Sequence, residues 1–79
     1  MKKEPNRPAL YAEVILPLAL PRYFTYEIPS ELASAVKTGI RVEVPFGKNR
    51  LYSALVANTH ANEPKGYTVK SIISIIDEE

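Results

Sequence analysis

The sequence predicts a small all-β domain closed into a barrel, on three observations. Apolar and polar residues alternate over short runs, Pro and Gly punctuate those runs, and only one stretch, of a turn or two, carries helical apolar spacing. A chain of 79 residues hides only about 60 to 65% of its unfolded surface on folding, so its core must be small. An open sheet of many short strands leaves its edges unprotected, and closure is the economical arrangement.

Residues 10–16 alternate as a first strand, with Leu10, Ala12, Val14 and Leu16 on one face and Tyr11, Glu13 and Ile15 on the other. Pro17 stops it. Residues 17–21, with Pro at both ends, form a connector, because Pro donates no ladder hydrogen bond and pushes the preceding residue toward extended geometry. Residues 23–28 make a second strand, with Phe24, Tyr26 and Ile28 on one side and Tyr23, Thr25 and Glu27 on the other, ended by Pro29. Ser30 is placed to cap a short helix over 31–37, where Leu32, Ala35 and Val36 share a face and Gly39 follows the end. Residues 40–46 predict a strand with Ile40, Val42 and Val44 inward, joined through the turn residues Gly47, Lys48, Asn49 and Arg50 to a strand over 51–58. The polar stretch 59–66, containing a solvated His60 together with Asn62, Pro64 and Gly66, reads as a loop before a last strand over 67–76. In that strand Val69, Ile73 and Ile75 share a face. The sum is an OB-like barrel of five or six short strands with one helical turn. Residues 1–8 are expected to be a flexible arm and 9–79 the folded domain, a fragment of a longer protein to judge by how soon the sequence stops after its last apolar run.

Composition bounds the function. Hydrophobic residues at 46% and charged residues at 24% belong to a globular domain. The absence of Cys removes disulfides and thiolate metal sites, a single His assembles no metal centre, and a reducing, cytoplasmic setting fits. Glu4, Pro5, Asn6 and Arg7 interrupt what would otherwise start a signal peptide. The longest apolar run, 14–20, is broken by Pro17 and falls short of the roughly 20 residues that cross a bilayer. No triad order, paired-carboxylate setting or Walker-type loop is present. A net charge of +1 argues against extensive phosphate binding, although Lys37, Arg41, Lys48 and Arg50 face only Glu43 between positions 37 and 50 and leave room for a local basic patch.

Two Pro-punctuated phrases carry the sharpest signal. The first is Leu20-Pro21-Arg22-Tyr23-Phe24-Thr25-Tyr26-Glu27-Ile28-Pro29, and the second is Gly39-Ile40-Arg41-Val42-Glu43-Val44-Pro45-Phe46-Gly47-Lys48. Together they resemble the opening of the bacterial replication-restart helicase family, primosomal protein N′ (PriA), in which an "LPxxFxY..P" phrase is followed by "GxRVxVPFGK". The matched stretch runs from about Tyr11 to Asp77. In that family the segment is a 3′-DNA-binding domain that captures the 3′ end of the nascent leading strand at a stalled fork.

The resemblance implies a DNA 3′-end site at Phe24, Thr25, Gly47 and Lys70, with possible phosphate contacts from Arg22, Lys48 and Arg50. Each has a plainer reading from its residue type. Gly47 serves as a hairpin corner with positive φ and Lys48 as a solvated charge; alternatively, the missing Cβ lets a sugar or base lie against backbone N–H groups, with Lys48 or Arg50 near phosphate. Phe24 and Tyr26 are core aromatics, or Phe24 offers a base a stacking face. Lys70 is an edge-protecting charge, or joins the terminal-nucleotide pocket through the phrase Val69-Lys70-Ser71-Ile72. Arg22 pairs with Glu27 or Glu43, or meets phosphate. Thr25 departs from the Asp common in the family and supplies a hydroxyl without a charge.

The expected role is therefore a non-catalytic, base-nonspecific module for forked or single-stranded DNA with a free 3′-hydroxyl. Its partners would be the remaining domains of a helicase and other primosome proteins, with no membrane. The chain itself implies no cofactor or metal; ATP, Mg and Zn are expected only in the missing parts of an ATP-dependent 3′-5′ DNA helicase. The alternative is a structural or protein-interaction β-barrel docking neighbouring domains through Tyr23, Phe46 and Tyr52.

Overall fold

A computed structural model of the chain describes residues 9–19, 22–66 and 68–76; the arm expected over 1–8 lies outside them. Strands β1 (Leu10–Ile15), β2 (Phe24–Ile28), β3 (Arg41–Pro45), β4 (Leu51–His60) and β5 (Ser74–Ile75) form a five-stranded sheet in the order β2-β1-β4-β3-β5. Every neighbouring pair is antiparallel. The inward positions are mostly β-branched, which suits a pleated, half-buried surface: Val14, Val42, Val44 and Val56 are the largest fully buried side chains. Tyr26, Ile28, Val36 and Ile72 complete the core around them.

The sheet curls without closing, and the barrel expectation is corrected accordingly. Tyr26 of β2 donates its hydroxyl to the carbonyl of Pro45 at the end of β3, 2.6 Å away, although those strands are not neighbours in the sheet. The segment after residue 69 then touches both outer edges. A single parallel bridge joins Ser71 to Glu27 of β2, held by Glu27 N–H to Lys70 O at 2.9 Å and Ile72 N–H to Glu27 O at 3.0 Å. Two residues after Ser71 the chain turns to β3 instead, Ile73 N–H bonding Glu43 O at 2.8 Å, with Ser74 opposite Glu43 and Ile75 opposite Val42. One bridge is not a ladder, so the sheet remains open.

That switch of partner also corrects the last strand, which is not a continuous run over 67–76. With alternation interrupted, Ile72 is the buried residue at 2% exposure, whereas Ile73, expected inward, is 52% exposed. The helix expected over 31–37 is a 3-10 turn, Ser30–Leu32, in which Pro29 takes the N-cap position and Ser30 provides no side-chain cap. Hydrogen bonds from Ala35 and Val36 N–H to Leu32 O continue the winding only briefly, as expected where so short a segment cannot repay helix nucleation.

The β4 strand runs to His60 rather than ending at residue 58. Its pairing with β1 shifts register between Glu13 and Val14, from Asn58 opposite Glu13 to Val56 opposite Val14. The extra residue, Ala57, forms a bulge, which turns the following side chains to the other face. Ala54 and Val56 face the core, and His60 comes to lie opposite Tyr11, itself 5% exposed, on the other face of the sheet.

Candidate functional site

A cleft of about 360 Å³ opens where the start of β2, the end of β3 and the approach to the Ser71 bridge converge. Arg22 to Tyr26 form one wall, Pro45 to Gly47 the second, and Thr68 to Lys70 the third. The β2 wall is fixed by its ladder with β1, the β3 wall by the hairpin in which Phe46 N–H bonds Arg50 O at 3.0 Å, and the third wall by the Glu27 bonds.

Aromatic rings make up much of the interior. Phe24 meets Phe46 edge to face with centroids 5.1 Å apart, and Phe46 meets Tyr52 in the same manner at 6.1 Å. The Arg22 guanidinium lies over the Phe24 ring, 4.8 Å from its centroid, so Arg22 engages the aromatic wall rather than only an acidic partner. Burial pushes the Tyr26 phenol above its ordinary pKa, which keeps it a neutral donor to Pro45. Tyr23, at 58% exposure, is open to solvent. Phe46 and Tyr52, the other members of the alternative docking surface, pack partly against the core.

Polar groups converge on the same place. Lys70 brings its ammonium 3.5 Å from the Gly47 carbonyl, a long contact that leaves most of its hydrogen-bonding capacity unspent. Gly47 has φ of +72°, and a Cβ built on it would meet nothing within 4 Å, so one side of this backbone is open space. The strand alternation that sends Glu27 N–H and C=O toward Lys70 and Ile72 sends those of Thr25, two residues earlier, toward the same edge.

The Thr25 hydroxyl donates to Glu13 Oε2 at 2.8 Å across the β1–β2 pair. His60 Nε2 meets the same oxygen at 2.8 Å, and the His60 ring stacks on Tyr11 with centroids 6.0 Å apart. His60 is therefore not the solvated loop residue expected from sequence. Its place depends on the Ala57 bulge, which residue spacing does not announce. Glu13 was legible: it alternates onto the face shared with Thr25, and pairing of the first two predicted strands puts the two opposite each other.

Of the residues singled out in the sequence, Arg22, Phe24, Thr25, Gly47 and Lys70 line this one cleft. Lys48 and Arg50 are exposed on the neighbouring hairpin turn and are not part of its walls. Among the described residues there is no cluster of three or more His, Cys, Asp or Glu suited to a metal ion, and no helix long and apolar enough to cross a membrane.

Comparison with known families places this arrangement. Residues 13–79, which take in all of β2 to β5, the second half of β1 and the whole cleft, match the family model described as the 3′DNA-binding domain (3′BD) of PriA. The chain belongs to the PriA 3′-DNA-binding domain family. A curated relative, the replication restart protein PriA of Bacillus subtilis (strain 168), is 36% identical over 70 residues, covering 85% of the chain. The chain spans only 9% of that relative's length. Family membership makes this a DNA-binding domain, and its fold is the open five-stranded antiparallel sheet with one 3-10 turn described above.

Proposed function

We propose that the cleft holds the terminal nucleotide of a DNA strand with a free 3′-hydroxyl, without regard to base identity, and so directs a restart helicase to stalled forks. The observation that carries this reading is the convergence of Phe24, Thr25, Gly47 and Lys70, far apart in sequence, on one cleft of about 360 Å³. Phe24 supplies a ring for a base, which every base can use because each has a π-face. The open side of Gly47 lets a sugar approach backbone, and the peptide groups of Thr25 offer a donor and an acceptor at the strand edge. Lys70 and Arg22 bring positive charge for a single phosphate. A chain with net charge +1 gains little from tracking many phosphates, so shape and hydrogen bonds dominate.

On this reading the domain binds and does not catalyse. ATP, Mg and Zn would be used by other parts of the longer protein in the cytoplasm, and those parts and other primosome proteins would be its protein partners. The test compares a short oligonucleotide ending in 3′-hydroxyl with its 3′-phosphorylated twin and with each of the four terminal bases. A terminus reader loses most of its affinity on 3′-phosphorylation and stays nearly indifferent to the base. Equal or tighter binding of the phosphorylated end would overturn end recognition.

A further inference from the structure

The hydrogen bonds behind Thr25 form a relay with a definite direction. Asn62 N–H points at His60 Nδ1, 3.1 Å away. A backbone N–H can only donate, so Nδ1 is the unprotonated nitrogen and Nε2 carries the hydrogen. His60 Nε2–H therefore donates to Glu13 Oε2 at 2.8 Å. The Thr25 hydroxyl donates to the same oxygen, also at 2.8 Å. A hydroxyl has one hydrogen, and here it is committed to Glu13. What remains on Thr25 Oγ1 is lone pairs.

We infer that Glu13, oriented by His60, is a positioning residue that fixes Thr25 as an acceptor toward the cleft and so makes the site selective for a hydrogen-bond donor on the strand terminus. This rests on the end-binding reading above and gives it a chemical basis. A 3′-hydroxyl can donate to Thr25. A 3′-phosphate presents acceptor oxygens and negative charge, and it would meet the lone pairs of Thr25, with the Glu13 carboxylate 2.8 Å behind that hydroxyl. Discrimination then does not depend on a carboxylate at position 25 itself, because Glu13, on the neighbouring strand, supplies the charge and sets the polarity of the hydroxyl.

The experiment uses the 79-residue chain and three otherwise identical short oligonucleotides ending in 3′-hydroxyl, 3′-fluoro and 3′-phosphate, with affinities measured by fluorescence anisotropy and folding checked by circular dichroism. Fluorine keeps the size of the hydroxyl and removes its proton. The parent is expected to prefer hydroxyl over fluoro by roughly tenfold, the scale of one hydrogen bond lost at a partly buried site. Glu13→Ala frees the Thr25 hydroxyl to rotate and should reduce that preference to less than about threefold, whereas Glu13→Gln, whose amide oxygen still accepts from both donors, should keep it. Thr25→Val removes the acceptor and should abolish the preference, which provides the test even if Glu13→Ala does not fold. A loss of fold quality weakens all ends together and leaves the ratio unchanged, so the ratio reads the relay. A parent that rejects only the phosphate, or a folded Glu13→Ala or Thr25→Val that keeps the tenfold preference, overturns the relay and leaves end recognition standing. A parent that binds all three ends alike overturns both.

Discussion

The guanidinium carbon of Arg22 sits 4.8 Å from the centroid of the Phe24 ring, over one face of the aromatic, and both residues line the cleft. A base entering the cleft must either displace this group or stack upon it. Guanidinium is planar and weakly hydrated, so it can itself carry a base, which the compact, strongly hydrated ammonium of Lys cannot do. Arg22→Ala is accordingly expected to weaken binding of a single strand and to lower the slope of log affinity against log salt by about 0.7, the share of one phosphate contact. Arg22→Lys should restore the slope without restoring the affinity. Salt titrations of the three proteins decide it, and full recovery of affinity in the Lys variant would reduce Arg22 to a point charge.

Phe24 has two roles that one substitution confuses. Its ring packs edge to face on Phe46, so Phe24→Ala costs stability as well as any stacking. Phe24→Leu keeps most of the apolar volume and removes the π-face. The leucine variant should remain folded and lose about 1 to 3 kcal/mol of single-strand affinity, the usual worth of a base stacked on an aromatic ring. Affinity equal to the parent's in a folded Phe24→Leu protein would return this ring to the core alone.

Gly47 allows backbone strain and ligand space to be separated. Its φ of +72° penalises any residue with a Cβ, by roughly 1 to 2 kcal/mol for Ala. Asn tolerates this conformation far better, and no atom beyond the glycine and its two chain neighbours lies within 4 Å of where the Cβ would go. Gly47→Asn should therefore leave the melting temperature near the parent's yet weaken DNA binding at least tenfold if a sugar or base occupies that open side. Unchanged binding in Gly47→Asn would show that the glycine serves only the hairpin turn.

Much of this architecture is legible in the residue pattern because local rules act there alone. The inward sets Ala12, Val14 and Val42, Val44 follow from period-two alternation, and Pro17 and Pro29 end strands by removing donors. Phe24, Thr25, Gly47 and Lys70 come together in the sequence only through the family resemblance, whereas composition and spacing alone leave each with a plainer role. What the pattern did not show depends on pairing between distant segments. The bulge at Ala57 arises from how β4 meets β1, and it moves His60 to Glu13. Likewise, the change of partner from β2 to β3 after Ser71 breaks the alternation of the last segment. Neither event leaves a Gly or Pro as its marker.

That broken alternation supplies the most direct test of the fold. Ile72 donates its N–H to Glu27 O at 3.0 Å and buries its side chain to 2% exposure, while Ile73 next to it is 52% exposed. A domain of this size has only about 4 to 12 kcal/mol of stability in all. Ile72→Ala should remove about 2 to 5 kcal/mol of it through lost burial and the cavity left behind, and Ile72→Val about 0.5 to 1.5. Ile73→Ala should stay within about 0.5 kcal/mol of the parent. Urea unfolding measures all three, with the midpoint moving and the slope constant if only stability changes. Because Ile72 anchors the segment whose residues 68–70 form the third wall of the cleft, Ile72→Val should also weaken single-strand binding slightly, whereas Ile73→Ala should not. The opposite order, with Ile73→Ala the damaging change, would mean that residues 67–76 form one regular strand with Ile73 inward, and the two-edged arrangement of the segment would be wrong.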